Sequence, residues 1–132
     1  MPKSPLTIIP FEKLKNTLAW KLTSELVRKR AKGKCYTCGR RVEFKKMVAG
    51  HSREKRGASG TYFELDGLRG QCNYCNRRQH GNYSVFTLKL IEEIGFERVK
   101  ELAKKAQKSK KWTRGELDKI AEERRQLLKA LE

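Results

Sequence analysis

The sequence contains two cysteine pairs of the form Cys-x-x-Cys, CYTC at residues 35–38 and CNYC at residues 72–75. Each pair can turn two sulfur atoms towards one half of a tetrahedron, so two pairs complete a closed site of four thiolates. Two disulfide bonds are the alternative, but they are typical of exported proteins and not of a reducing cytosol. The spacing therefore predicts a structural zinc ion. Its ligands would be Cys35, Cys38, Cys72 and Cys75.

Residues 39–71 separate the two pairs, an interval longer than the roughly 15–20 residues of a simple zinc ribbon. The β-prone stretch 42–52 comes first, then the Gly/Ser-containing stretch REKRGASGT at 53–61, then YFELDGLRGQC at 62–72. This order predicts strand, loop and strand between the knuckles.

Apolar residues at helical spacing predict helices on both sides of this unit. Leucines at 14, 18, 22 and 26 indicate an N-terminal helix over residues 11–31. After Cys75 a helix should end at Gly95, and further helices should follow over about 96–107 and from Thr113, whose capping-box partner is Glu116. The last helix could dock on the core or pair with a second chain, and we expect docking. The prediction is one α+β domain, 1–132, with a zinc-containing core at 35–95 and a helical extension at 96–132.

The charge of the chain points to a polyanionic partner. The formal net charge is +17, from 32 Lys and Arg against 15 Asp and Glu. A membrane partner is not expected, because no window approaches the roughly 20 apolar residues of a spanning helix. The N-terminal residues also lack the pattern of a signal peptide, which predicts a cytoplasmic protein. Nucleic acid is therefore the expected partner, and charge alone does not distinguish DNA from RNA.

The histidines suggest a reactive site. His51 closes the first predicted strand, and Asn76 and His80 stand four residues apart just after the second knuckle. If that segment is helical, Asn76 and His80 share one face and could face His51 across a phosphodiester. The alternatives are a structural or phosphate-contacting His51, a capping Asn76 and a turn residue at His80. In those cases the protein would bind DNA without cutting it.

Five segments carry a resemblance to a known family. CYTCGR, AGHSREKRGA, QCNYCNRRQHGN, LIEEIG and KWTRGELDKI resemble, in this order, the NinG/Rap family of phage recombination proteins. The arrangement is also similar to zinc-containing HNH (ββα-metal) nucleases. The similarity runs from about residue 14 to the C-terminus, and it implies a zinc-stapled ββα core with an N-terminal helix and C-terminal helices.

The resemblance also implies an activity, a location and a site. The family is associated with structure-specific cleavage of branched DNA, such as Holliday junctions and D-loops, in homologous recombination. A phage protein would act in the cytoplasm of the infected host cell. By this resemblance His51 is the general base of phosphodiester hydrolysis, and a catalytic Mg²⁺ or Mn²⁺ is bound near Asn76 and His80, with Asp66 as a further candidate ligand.

The sequence departs from the HNH pattern where an acidic metal ligand is expected. Gly50 precedes His51, where many HNH nucleases have Asp or His, and Gly67 stands where relatives usually have Asn. Val48 stands where the family often has Asp. An acidic ligand would then have to come from Glu54, Glu64 or Asp66.

Basic residues around this core would contact backbone phosphates, which predicts salt-sensitive and largely sequence-independent binding. The candidates are Arg53, Lys55, Arg56, Arg69, Arg77 and Arg78. Two rivals to a nuclease are a non-catalytic zinc DNA-binding module and an adaptor whose C-terminal helix binds a recombination protein. A homodimer would suit the two cuts that junction resolution requires.

Overall fold

The computed structural model describes residues 4–132, in which four α-helices accompany a two-stranded antiparallel sheet. Residues 1–3, with which the predicted domain begins, lie outside the described part. The elements, in chain order, are α1 (Leu18–Arg30), β1 (Val48–His51), β2 (Leu68–Gln71), α2 (Tyr83–Ile94), α3 (Phe96–Ala106) and α4 (Arg114–Ala130). The α+β class and the order of the elements agree with the sequence.

The sheet is flanked by a helix on each side. His51 pairs with Leu68 and Gly50 pairs with Arg69, so neighbouring positions alternate between two faces. The face of His51 and Gly70 meets α1, since a Cβ atom added at Gly70 would lie 2.5 Å from the Ala31 Cβ atom just beyond that helix. On the other face, the Arg69 guanidinium donates a hydrogen bond to the Glu93 carboxylate of α2. The sheet thus carries His51 on its α1 side.

Both strands are shorter than predicted, with four residues each. Short 3₁₀ turns occupy Phe44–Lys46, Arg56–Thr61 and Leu65–Gly67. The segment 53–61 is also not an open loop throughout. Ala58, Ser59 and Gly60 are buried, and a Cβ atom at Gly60 would lie 2.8 Å from the Lys105 carbonyl oxygen of α3.

The prediction of a single N-terminal helix over residues 11–31 is wrong. A 3₁₀ helix covers Phe11–Asn16, and α1 begins only after Thr17, whose backbone is extended. The Thr17 hydroxyl donates to the Leu14 carbonyl at 2.6 Å and accepts from the Trp20 amide at 3.2 Å. A threonine that satisfies both helix ends favours this break over a continuous helix.

The last helix docks on the first, as expected. Its N-terminus has the predicted capping box, in which Thr113 and Glu116 exchange hydrogen bonds. Arg124 of α4 is buried and donates to the Thr23 hydroxyl of α1 at 3.2 Å. The main core cluster joins both helices to the segment before β2, and it comprises Leu14, Ala19, Tyr62, Phe63, Leu117 and Ala121.

None of the helices in residues 4–132 combines the length and the apolar character needed to cross a membrane.

Candidate functional site

The four cysteines converge, as their spacing predicts. Their sulfur atoms all lie within 4.8 Å of one another, and the Sγ atoms of Cys38 and Cys72 are 3.7 Å apart. A tetrahedral zinc ion with Zn–S bonds of about 2.3 Å requires sulfur–sulfur separations of about 3.8 Å. Gly39 has a φ of +76°, which lets the first knuckle turn tightly. The cluster could bind a zinc ion.

The thiols of this cluster differ in their pKa values. Burial raises the pKa of Cys35, but hydrogen bonds from the Thr37 hydroxyl and from backbone N–H groups outweigh burial and lower it to about 6. Burial raises the pKa of the Cys75 thiol to about 12. A bound divalent cation would stabilise the thiolate form of all four cysteines.

His51 is fixed in position by two aromatic residues. Its Nε2 atom lies 3.0 Å from the Tyr62 carbonyl oxygen. A carbonyl only accepts hydrogen bonds, so Nε2 carries the proton and Nδ1 keeps a free lone pair. The imidazole also stacks on the Trp20 indole of α1, with ring centroids 5.2 Å apart and an angle of 12° between the planes. No sequence pattern indicated the roles of Trp20 and Tyr62.

The same packing sets the charge of His51. Loss of solvent around the ring lowers the pKa of His51 to about 4, and the nearby Lys55 charge lowers it further against the opposing effect of the Tyr62 carbonyl. The imidazole is therefore neutral at physiological pH. A neutral ring with a free Nδ1 lone pair is in the protonation state that a general base requires.

The prediction that Asn76 and His80 share one helical face is wrong. Residues Tyr74–Arg78 form a π-helical turn, and α2 begins only at Tyr83. His80 has a left-handed φ of 50°, which interrupts the helix. Asn76 is half-buried and His80 is exposed. No helical repeat holds the two side chains together, and the metal-ligand roles of Asn76 and His80 stay predictions.

The acidic candidates are already engaged. Asp66 accepts from Arg98 at 2.6 Å, and Glu64 is paired with Lys105. Glu54 accepts from the backbone amides of Arg56 at 3.1 Å and Gly57 at 2.9 Å.

Within residues 4–132, the four cysteines are the only group of three or more His, Cys, Asp or Glu side chains placed to hold a metal. Mg²⁺ binds through oxygen ligands and usually takes one or two carboxylates together with substrate phosphates. Asn76 alone falls short of such a set, so the described residues do not by themselves fit a magnesium site.

The space beside Gly50 is filled by Gln71. A Cβ atom at Gly50 would lie 1.8 Å from the Gln71 Oε1 atom. Gln71 is fully buried, and its Nε2 donates to the Thr37 hydroxyl at 3.1 Å and to the Gly81 carbonyl at 2.9 Å. The glutamine therefore links the first knuckle to the turn before α2, a role that only its place next to Cys72 could have suggested.

The predicted DNA-contacting residues divide into two groups. Five of them have exposed side chains: Arg53, Lys55, Arg56, Arg77 and Arg78. Arg69 differs, because it donates to Glu93 at 3.2 Å and to three carbonyl groups, including that of Leu68 at 2.7 Å. Its guanidinium is engaged by partners within the fold, and its contact with DNA stays a prediction.

Residues 10–132 of the chain match the model of the family described as Bacteriophage Lambda NinG protein. The chain is 33% identical over 97 residues to the protein ninG of Salmonella phage P22. These 97 residues are 74% of this chain and 47% of the relative. The chain thus spans about half the length of that curated relative. No solved structure matches.

Proposed function

The chain belongs to the NinG family, and on that premise we propose that it is a metal-dependent endonuclease acting on branched DNA, such as Holliday junctions and D-loops, in phage recombination. The proposal includes an HNH-like ββα core, for which β1, β2 and the segment after Cys75 follow the required chain order. The net charge of +17 supports a DNA partner. The observation that carries the proposal is the geometry of His51.

His51 would act as the general base of hydrolysis. Its Nε2 proton is held by the Tyr62 carbonyl at 3.0 Å, so only Nδ1 can accept a proton from water. The water oxygen would then attack phosphorus while the bond to the leaving oxygen breaks. Trp20 restricts rotation of the ring, which keeps the lone pair in one direction. A negatively charged DNA phosphate nearby would raise the pKa of His51 and make proton transfer easier.

A divalent cation would supply stabilisation of the negative charge on the phosphate. The residues predicted to hold it are Asn76 and His80, so most of its oxygen ligands would come from DNA and water. For this reason the Mg²⁺ or Mn²⁺ requirement is a part of the proposal to be tested separately from the role of His51.

Exposed cations on two segments would bind the DNA backbone. Residues 53–57 form the exposed part of the loop that follows β1, and Arg77 and Arg78 follow the second knuckle. Arg56 also lies 5.3 Å from the Phe11 ring centroid, which limits its conformations. Since such contacts are made to phosphates, affinity should fall steeply with salt and depend little on sequence.

Cleavage of a labelled four-way junction and of a matched linear duplex tests the proposal. Wild type, His51→Ala and the surface control Lys119→Ala are compared at equal zinc content, with Mg²⁺, with Mn²⁺ and without either. The proposal expects metal-dependent cleavage of the junction by wild type and the control, and a loss of at least about 100-fold in His51→Ala. Equal cleavage by all three proteins would refute the role of His51.

A non-catalytic zinc DNA-binding module is the second candidate. It is favoured by the engagement of Glu54, Glu64 and Asp66, which leaves the site without a free carboxylate ligand. This candidate expects tight junction binding with no cleavage in either metal. An adaptor role for α4 is less well supported, because Leu117 and Leu128 are already buried. A homodimer stays a prediction.

A further inference from the structure

A cavity of about 490 Å³ lies beside β2. Its walls are the last turn of α1, the first knuckle, β2 and one side of α2. No residue of β1, the strand of His51, is among the lining residues that the structure describes. The volume falls within the range of about 300–1,000 Å³ that is usual for ligand sites.

The two carboxylates in the wall of this cavity are neutralised by partners. Glu93 accepts from Arg69 at 3.2 Å and from the Tyr36 hydroxyl at 2.7 Å. Asp66 accepts from Arg98 at 2.6 Å. Neither carboxylate is left to balance the remaining cations of the wall.

Three of those cations have no ion-pair partner within residues 4–132. They are Arg30 at the end of α1, Lys34 just before the first knuckle and Lys89 on α2. The Lys89 ammonium is held at the cavity by the Tyr36 ring, whose centroid is 5.7 Å away. Three uncompensated positive charges around one concave surface favour an anionic ligand.

We propose that this cavity is a second DNA-contact site, in which Arg30, Lys34 and Lys89 bind phosphate groups of a DNA strand. The inference takes from the proposed function only that the partner is DNA. The cavity adjoins the candidate site, since Leu68 in its wall is the strand partner of His51, and a DNA with more than one arm could contact both places at once. The cavity would then contribute to the preference for branched over linear DNA.

Binding of a fluorescent four-way junction across a range of NaCl concentrations tests the site. The variant Lys34→Gln/Lys89→Gln removes two cavity charges, and Lys119→Gln/Lys129→Gln removes two exposed charges from α4. Each lost phosphate contact lowers the slope of log affinity against log salt by about 0.9. The cavity variant should therefore lower the slope by about 2, while the α4 variant leaves it unchanged.

A charge-conserving variant separates charge from folding. Lys34→Arg/Lys89→Arg should keep the wild-type slope, and a linear duplex should lose less affinity than the junction in the Gln variant. Equal slopes for the cavity and α4 variants would overturn the inference, as would absence of any DNA binding.

The binding assay needs no cleavage, so the two proposals fail separately. A junction that is cleaved while the cavity variant keeps its slope would refute the second site alone. A lowered slope without cleavage in Mg²⁺ or Mn²⁺ would refute the nuclease and support the second site.

Discussion

Gly50→Ala should destabilise the protein strongly although it adds one methyl group. The new Cβ atom would lie 1.8 Å from Oε1 and 2.7 Å from Cδ of Gln71. Since Gln71 is fully buried, its side chain has no open space into which it can move.

The magnitude follows from two contributions. Overpacking a buried site costs about 1–3 kcal/mol. Displacing the Gln71 amide also weakens its hydrogen bonds to Thr37 and Gly81, each with a net contribution of about 1 kcal/mol. We expect a loss of about 3 kcal/mol in the free energy of unfolding.

Urea unfolding followed by tryptophan fluorescence, at a fixed excess of zinc, measures this loss. Gly57→Ala is the matched control, because its Cβ atom would meet only the Glu54 Oε2 atom, at 3.6 Å. That change should alter stability by less than about 0.5 kcal/mol. In a Gln71→Ala background the cost of Gly50→Ala should fall below about 1 kcal/mol. Equal costs for Gly50→Ala and Gly57→Ala would refute the packing argument.

Three further predictions concern His51 and the cysteine cluster. The pKa of His51 is about 4 in the folded protein against 6.5 for the free side chain. As the pH falls from 6.5 to 4, the unfolded chain therefore binds a proton at His51 before the folded protein does, which destabilises the fold. Between pH 7 and pH 4 the free energy of unfolding should fall by about 3 kcal/mol more in wild type than in His51→Gln, as measured by urea unfolding. Trp20→Leu should raise the pKa of His51 towards 6.5, because the stacked indole no longer excludes solvent from the ring. An NMR titration of the His51 ring protons measures this pKa, and an unchanged value would contradict the prediction. Cys75→Ser should reduce bound zinc from one ion per chain to none, measured by mass spectrometry of the native protein, whereas full zinc retention would contradict a four-thiolate site.

The cysteine cluster and two helix ends, at Gly95 and Thr113, were predictable because their signals are local. Cys-x-x-Cys spacing brings two sulfurs together through one turn, and the Thr113–Glu116 capping box lies within a single helical turn. Gly95 ends α2 with a φ of +90°, a conformation that glycine adopts without strain.

The arrangement around His51 was less predictable because it depends on contacts distant in sequence. Trp20 stacks on His51 from α1, and the Tyr62 carbonyl approaches from the segment before β2. No periodicity in the sequence indicates such contacts. The break at Thr17 was missed because the leucine spacing continues across it, while the hydroxyl satisfies the ends of both helices.

The region after Cys75 illustrates how tertiary contacts override a helical pattern. Asn76 and His80 have helical spacing, but the Gly81 carbonyl is held by the buried Gln71 amide. Gly81 has a φ of +84°, and the turn it forms delays α2 until Tyr83. The position of Gln71 next to Cys72 was visible in the sequence, whereas its contact with Gly81 was not.

Imidazole rescue of His51→Ala is the most direct test of His51 as the general base. Single-turnover cleavage of the four-way junction is measured with zinc-loaded protein in Mg²⁺ or Mn²⁺, with increasing imidazole and at several pH values. We expect the variant to cleave slowly, and imidazole to restore cleavage in proportion to the concentration of its neutral form. Cleavage by His51→Ala at the wild-type rate, unaffected by imidazole, would contradict this expectation.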